Sequence, residues 1–201
     1  MSISPKGETV SDIALPTPRT SGGRPLMEVL QLRHSTREFS DRPLPPQVLS
    51  NLLWAADGVN RPVTGGRTAP SARNWQEIDV YAATEAGCFL YDAQKNRLKQ
   101  LIARDIRAQT GAQDFVGHAS VNLIYVADFD RIDQAGADSK ELRFYSAADA
   151  GFIAQNVYLF CASEGLATVV RGLVDRHSLA RILGLSLHQR VLLAQSVGYP
   201  A

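Results

Sequence analysis

Apolar positions along this chain follow two patterns, helical spacing and short continuous runs, and the switches between them mark the elements. After Pro25, a residue favoured at helix starts, Leu26, Met27, Val29, Leu30 and Leu32 form a stripe at helical spacing that runs into Arg33. Pro43, Pro45 and Pro46 break that segment. Val48, Leu49, Leu52, Leu53, Ala55 and Ala56 then repeat the helical pattern up to Gly58, with Trp54 expected in the core. Short runs rich in β-branched and aromatic residues predict strands over Ile78 to Ala83, Cys88 to Tyr91, Val121 to Ala127, Ala167 to Val170 and Val191 to Val197. Residues 99 to 118 carry a weak helical pattern, divided by Gly111 and Gly117 into two short helices. The longest helix is predicted from Lys140 to Ser163. It is apolar nearly all round between Ala147 and Ala162, which predicts burial on every side, in a bundle or at a subunit interface. Asp149 and Asn156 within it need polar partners. Gly165 ends it, and Asp175 caps a last helix that closes at Gly184.

Residues 1–24, with Pro5, Pro16, Pro18, Gly22 and Gly23 among Ser and Thr, lack periodicity and read as an extended N-terminal arm. Residues 25–201 read as a single domain without repeats or linkers. A chain of 201 residues with net charge +1 has no basic field to attract nucleic acid or a membrane surface, and no apolar run of spanning length. Any anion binding must therefore be local. The start lacks the apolar core of a signal peptide, and Cys88 and Cys161 read as buried free thiols. A cytoplasmic location is the expectation, a secreted form with a trimmed leader the alternative.

Candidate chemistry concentrates in Arg33-His34-Ser35-Thr36-Arg37. In an extended backbone Arg33, Ser35 and Arg37 project to one side. In a helix the arginines share a face and Ser35 points away. Either way two cations converge, an arrangement suited to a phosphate monoester. The competing reading is a solvated basic turn at a helix end. A second polar stretch, Arg67 to Gln76, runs into a predicted strand. Asn74 and Gln76, two apart, are able to face one side and read a flat heterocycle's edge, or merely to cap the loop. No glycine-rich phosphate loop, metal-ligand spacing or serine-nucleophile elbow is present, so reactivity would have to come from a bound organic cofactor.

The pentapeptide resembles the Arg-x-Ser-x-Arg phosphate motif of the FMN-dependent nitroreductase superfamily. Pro70-Ser71-Ala72-Arg73-Asn74-Trp75-Gln76 resembles that family's Pro-Ser-x-x-Asn-x-Gln segment. Gly165-Leu166-Ala167-Thr168 resembles its Gly-Leu-x-Thr strand, and Val197-Gly198-Tyr199-Pro200 its closing strand. The resemblance implies an α+β fold, a three-layer α/β/α sandwich with a mixed, mostly antiparallel sheet, as a homodimer with two FMN sites at the interface on the long helix. It places Arg33, Ser35 and Arg37 on the FMN phosphate and His34 near the flavin or ribityl chain. Pro70, Ser71, Ala72 and Asn74, with Gln76 the weaker match, would reach the isoalloxazine from the partner chain. Val170, Arg171 and Gly172 would flank the ring. Glu77-Ile78 stands where many members have Pro-Trp, and Pro70 to Tyr81 leans toward the thiazoline and oxazoline dehydrogenases. Basic phosphate contacts that the family carries beyond its last strand have no counterpart before Ala201, so Arg171 or Arg190 is expected to stand in.

The function implied is NAD(P)H-dependent flavin oxidoreduction. NADH or NADPH delivers a hydride and leaves, and a small-molecule acceptor of nitroaromatic or quinone type is reduced in the same place. No catalytic side chain and no metal are required. The alternatives are an azoline-type flavin dehydrogenase and a protein that stores FMN without turnover.

Overall fold

The computed structural model describes residues 2–3, 9–132 and 138–201. The arm carries three two-residue strands, β1 (Ser2–Ile3), β2 (Thr9–Val10) and β3 (Ile13–Ala14), and leads to helices α1 (Leu26–Leu32) and α2 (Pro46–Asp57). A small hairpin, β4 (Val59–Arg61) and β5 (Gly66–Arg67), precedes the strands β6 (Ile78–Thr84), β7 (Gly87–Asp92), β8 (Arg97–Ile102) and β9 (Val121–Asp128). Then come α3 (Ser139–Glu164), β10 (Ala167–Arg171), α4 (Arg176–Leu183) and β11 (Gln189–Gly198).

The main sheet runs β10-β11-β9-β6-β7-β8-β3 and is antiparallel at every pairing described. Its central strands are apolar on both faces because both are covered. Val80, Ala82, Leu123 and Tyr125 pack under α2 and α3 with Leu52, Leu53, Ile153 and Val157. Tyr81, Ile124 and Val126 meet Leu179 and Leu183 of α4 on the opposite side. The result is the expected α/β/α layering. Cys88 and Cys161 are buried free thiols, and burial pushes the Cys88 thiol up to about 12.

Helix ends follow the sequence signals. Asp138 caps α3 by accepting from the backbone N–H groups of Lys140 and Glu141, and Gly165 closes it in the left-handed conformation at φ 69°. Asp175 accepts from Ser178 N at the start of α4, and Gly184 ends it at φ 69°. Asp149 and Asn156 find backbone partners in Ala72 N and Ala56 O.

Four expectations change. Residues 99–102 belong to β8 rather than to the start of a weak helix, because the turn at residues 93–96 continues the pairing of β7 and sets Leu98 against Ile13. Its polar Arg97, Lys99 and Gln100 imitate helix composition, and strand pairing overrides it. Only short 3-10 turns follow, at Arg107–Thr110 and Asp114–Gly117. The arm is also more integrated than an aperiodic segment suggests. The backbone of Leu15 and the carbonyl of Pro16 both bond Asn96, and Arg24 N donates to Ser163 Oγ. Pro5 of the arm lies outside the described residues. Finally, α3 is not covered all round. Phe144 and Phe152 are 69% and 47% exposed, and a Cβ built on Gly151 would meet nothing within 4 Å. Most of α1 is similarly bare, with Leu26, Met27, Leu30 and Leu32 exposed. Trp54 is half-buried, its indole N–H donating to Val59 O, rather than a full core residue.

Candidate functional site

The pentapeptide begins where α1 stops. Arg33 is the cap residue of α1 at φ −59° and ψ 116°, and residues 33–38 are non-helical. Of the two conformations open to it, the non-helical one is realised. Thr36 N donates to Thr168 O at 3.0 Å, and Ser40 N to Tyr199 O at 3.0 Å, so the segment is fastened to the outer edge of β10 and to the chain end. These bonds also blunt the open edge of the sheet.

Arg33 and Ser35 converge on one side chain that sequence reasoning did not single out. The Arg33 guanidinium sits over the ring of Tyr158, 5.3 Å from its centroid. Ser35 Oγ lies 2.7 Å from the Tyr158 hydroxyl, which also accepts from Val170 N at 3.0 Å. The available signal was a phenol on the predicted buried face of an apolar helix, where its hydroxyl needs a partner. Arg37 is exposed and forms no ion pair among the described residues; Arg33 rests on an aromatic face rather than a carboxylate. Two guanidinium groups and a hydroxyl with no internal acid to neutralise them fit a phosphate dianion. His34 is exposed, with Nδ1 against its neighbour's carbonyl, Leu32 O, at 2.7 Å.

The second segment is strained and cross-braced. Arg73, Asn74 and Gln76 all have positive φ, at 50°, 56° and 51°. Such a cluster of non-glycine residues costs on the order of 1–3 kcal/mol each and persists only where surroundings over-determine it. Those surroundings are visible. Ala72 N donates to Asp149 Oδ2 at 2.9 Å, and Gln76 N to Ser71 Oγ at 3.0 Å. The Gln76 amide accepts from Arg67 and donates to Gly65 O and Asn74 Oδ1. Asn74 and Gln76 thus share a side as expected, but the Gln76 amide is committed internally and supports the loop. Asn74 is exposed, as is Pro70; Ser71 and Ala72 are half-buried.

Beneath this loop lie buried acids. Asp57 is paired with Arg67 at 3.2 Å, and burial pushes its carboxyl up to about 7 against the pull of that guanidinium. Glu77 is fully buried, with Ser146 and Asp149 as its polar neighbours. Burial raises its carboxyl, and the nearby Asp149 adds to the effect.

The third segment divides. The Val170 N–H is taken by Tyr158, while Gly172, exposed beyond the strand end, has a backbone N–H without a partner among the described residues. Arg171 turns inward. Its guanidinium is buried against Thr110 O and Asn122 Oδ1, without a carboxylate, and burial lowers it to about 10. It therefore cannot stand in as a surface phosphate ligand. Arg190 lines a cavity of about 840 Å³ beside α4, together with Arg143, Arg176 and Arg181, on a different part of the molecule. A cleft of about 730 Å³ between the arm and the helices also leaves out residues 33–37. Arg37 is exposed and Arg33 half-buried.

The loop and the pentapeptide are tied to α3 nine residues apart, at Asp149 and Tyr158. Nine residues of α-helix advance about 13 Å and turn about two and a half times. The two segments therefore flank opposite faces of one helix.

Comparison with known proteins places this architecture. The nitroreductase family model matches residues 30–199. A solved structure from Ralstonia eutropha, classed with the nitroreductases, is 47% identical with a TM-score of 0.89, over 94% of this chain and 90% of that one. A Methanocaldococcus jannaschii protein also classed with the nitroreductases is 29% identical over 178 residues, 84% of this chain and 88% of its own length. The NADPH-flavin oxidoreductase of Vibrio harveyi is 25% identical over 183 residues, 87% of this chain but 65% of that protein. With its motifs in order, its three-layer fold and a family match spanning most of its length, the chain belongs to the nitroreductase family.

Proposed function

We propose that the protein is an FMN-dependent oxidoreductase that works as a homodimer, taking electrons from NADH or NADPH and reducing a small nitroaromatic or quinone-type acceptor. The observation that carries this reading is the convergence of Arg33 and Ser35 on Tyr158, with Arg37 two residues further along and neither arginine in an ion pair among the described residues. Family membership and the flavin activity named for the Vibrio harveyi relative support it.

The opposed placement on α3 supports a dimer. One chain holds residues 33–37 and 70–76 on different faces of the helix, so a single ligand touches both only when a second copy supplies one of them. The exposed apolar residues of α1 and α3, Met27, Leu30 and Phe152 among them, form the surface such a copy would cover.

The bound flavin would supply the two-electron chemistry, accepting a hydride from the nicotinamide and passing it to an acceptor that follows in the same place. The chain's own residues supply position and polarity. Arg33, Ser35 and Arg37 hold the phosphate. The free N–H of Gly172 offers a donor at the polar edge of the ring, and the Asn74 amide offers a second from the partner chain. The braced loop at residues 70–76 keeps that amide in place without reorganisation.

Reconstitution with FMN followed by anaerobic mixing with NADPH or NADH tests the reading. Bleaching of the flavin absorbance, and its return on adding a quinone, are expected. A protein that binds FMN but keeps its colour at millimolar donor overturns the reductase assignment.

A further inference from the structure

We infer that Tyr158 is a positioning residue that fixes the direction of the Ser35 hydroxyl proton, so that Ser35 acts as a donor to the FMN phosphate. This rests on the phosphate reading above and deepens it.

The argument is one of proton accounting. The Tyr158 oxygen accepts from Val170 N at 3.0 Å and lies 2.7 Å from Ser35 Oγ. A backbone amide can only donate, so this first bond has a known direction. Between the two hydroxyls either direction is geometrically open. If Ser35 donated, the phenol would accept twice and its own proton would have no acceptor. Tyr158 is only 7% exposed, so that proton would be a buried unsatisfied donor. The favoured arrangement is therefore Val170 N–H to Tyr158 oxygen, and Tyr158 O–H to Ser35 Oγ. Ser35 is exposed, and its own proton is left free for a ligand.

Two further features strengthen the relay. The Arg33 cation over the ring, at 5.3 Å, helps to hold the phenol in place from its face. Donor bonds in series polarise one another, so the Ser35 proton becomes a better partner for an anion. The Val170 amide belongs to β10, so strand, helix and pentapeptide share one bonded chain that sets the rotor before any ligand arrives. Preorganisation of this kind lowers the ordering cost of binding.

The test compares affinities for FMN and for riboflavin, which differ by the phosphate. Flavin fluorescence titration of the wild type should show a marked preference for FMN. Tyr158→Phe keeps the ring and its packing but removes the hydroxyl; it should lower that preference about tenfold or more, while riboflavin affinity stays the same. Ser35→Ala should lower the preference by a comparable factor, and the double variant should lose no more than Ser35→Ala alone, because both act through one proton. Should Tyr158→Phe fail to fold, monofluorotyrosine at position 158 keeps the hydroxyl, makes it a stronger donor, and should raise the preference. A wild type without preference for FMN overturns the phosphate reading and this inference together. A wild-type preference that Tyr158→Phe leaves intact, or additive losses in the double variant, overturns this inference alone. An unchanged preference with monofluorotyrosine does the same.

Discussion

Thr36 and Thr168 are joined by a single backbone bond, the Thr36 N–H to the Thr168 carbonyl at 3.0 Å, and that bond seats the pentapeptide against β10. Thr36→Pro removes the donor and restricts Ser35 toward extended backbone. The expected cost is about 1 kcal/mol of stability from the lost bond, with a fall in FMN affinity exceeding the fall in riboflavin affinity. Urea unfolding and flavin titration of the same preparation check this; unchanged FMN binding would mean the edge bond does not position the site.

Arg33 and Arg37 should separate by what else they do. Each Arg→Ala change is expected to cost about 1.5–3 kcal/mol of FMN binding, the worth of a hydrogen bond to a charged group. Arg37 is exposed and free, so Arg37→Ala should leave the melting temperature unchanged. Arg33→Ala also removes the contact over Tyr158 and should lower stability by about 0.5–1 kcal/mol. Flavin retention through gel filtration, beside calorimetry, reads both effects.

The buried Asp57 gives stability a direction with pH. Its carboxyl is raised from 3.8 to about 7 by burial, with Arg67 opposing and Glu77 and Asp79 reinforcing. Below the lower value it is protonated whether folded or not. Between the two values the folded chain retains a proton that the unfolded chain has lost, so stability declines as pH rises through that window. The contribution is on the order of a few kcal/mol at most. Asp57→Asn should flatten the dependence between pH 4 and pH 7, as read from urea midpoints at constant ionic strength. The same slope in both proteins would remove Asp57 as its source.

Gly111 and Arg171 are coupled by space. A Cβ on Gly111 would collide with Nη1 of Arg171, whose guanidinium is locked to Thr110 and Asn122. Gly111→Ala should destabilise by about 1–3 kcal/mol. Adding Arg171→Met, which is more flexible and carries no buried charge, should recover part of that loss, giving a non-zero coupling in a double-mutant cycle. Additive effects would show that the guanidinium is not what confines Gly111.

Phe152 tests the assembly. It is 47% exposed on the bare face of α3. Phe152→Asp places a charge on the surface proposed to be covered and should yield monomers in sedimentation analysis, with flavin lost in parallel. A dimer that persists with flavin bound would move the interface elsewhere.

Much of this was legible from residue order. Local chemistry set the ends of α3 and α4, because an Asp cap and a left-handed Gly act within one turn. Continuous apolar, β-branched runs marked β6, β9 and β11. The pentapeptide stood out as the proposed phosphate site because its charges lie within five residues. What local order left undetermined was every relationship across distance. β8 exists because β7 and β3 pair with it, and its own composition argues otherwise. The inward turn of Arg171 depends on the side of an edge strand and on Thr110, 61 residues away. The commitment of Gln76, and the meeting of Ser35 with Tyr158 across 123 residues, are likewise products of packing. Sequence period decides which face an element buries, since that is a property of the backbone's own repeat. Which partner meets that face, and which polar group is thereby spent or left free for a ligand, is decided only when the layers close.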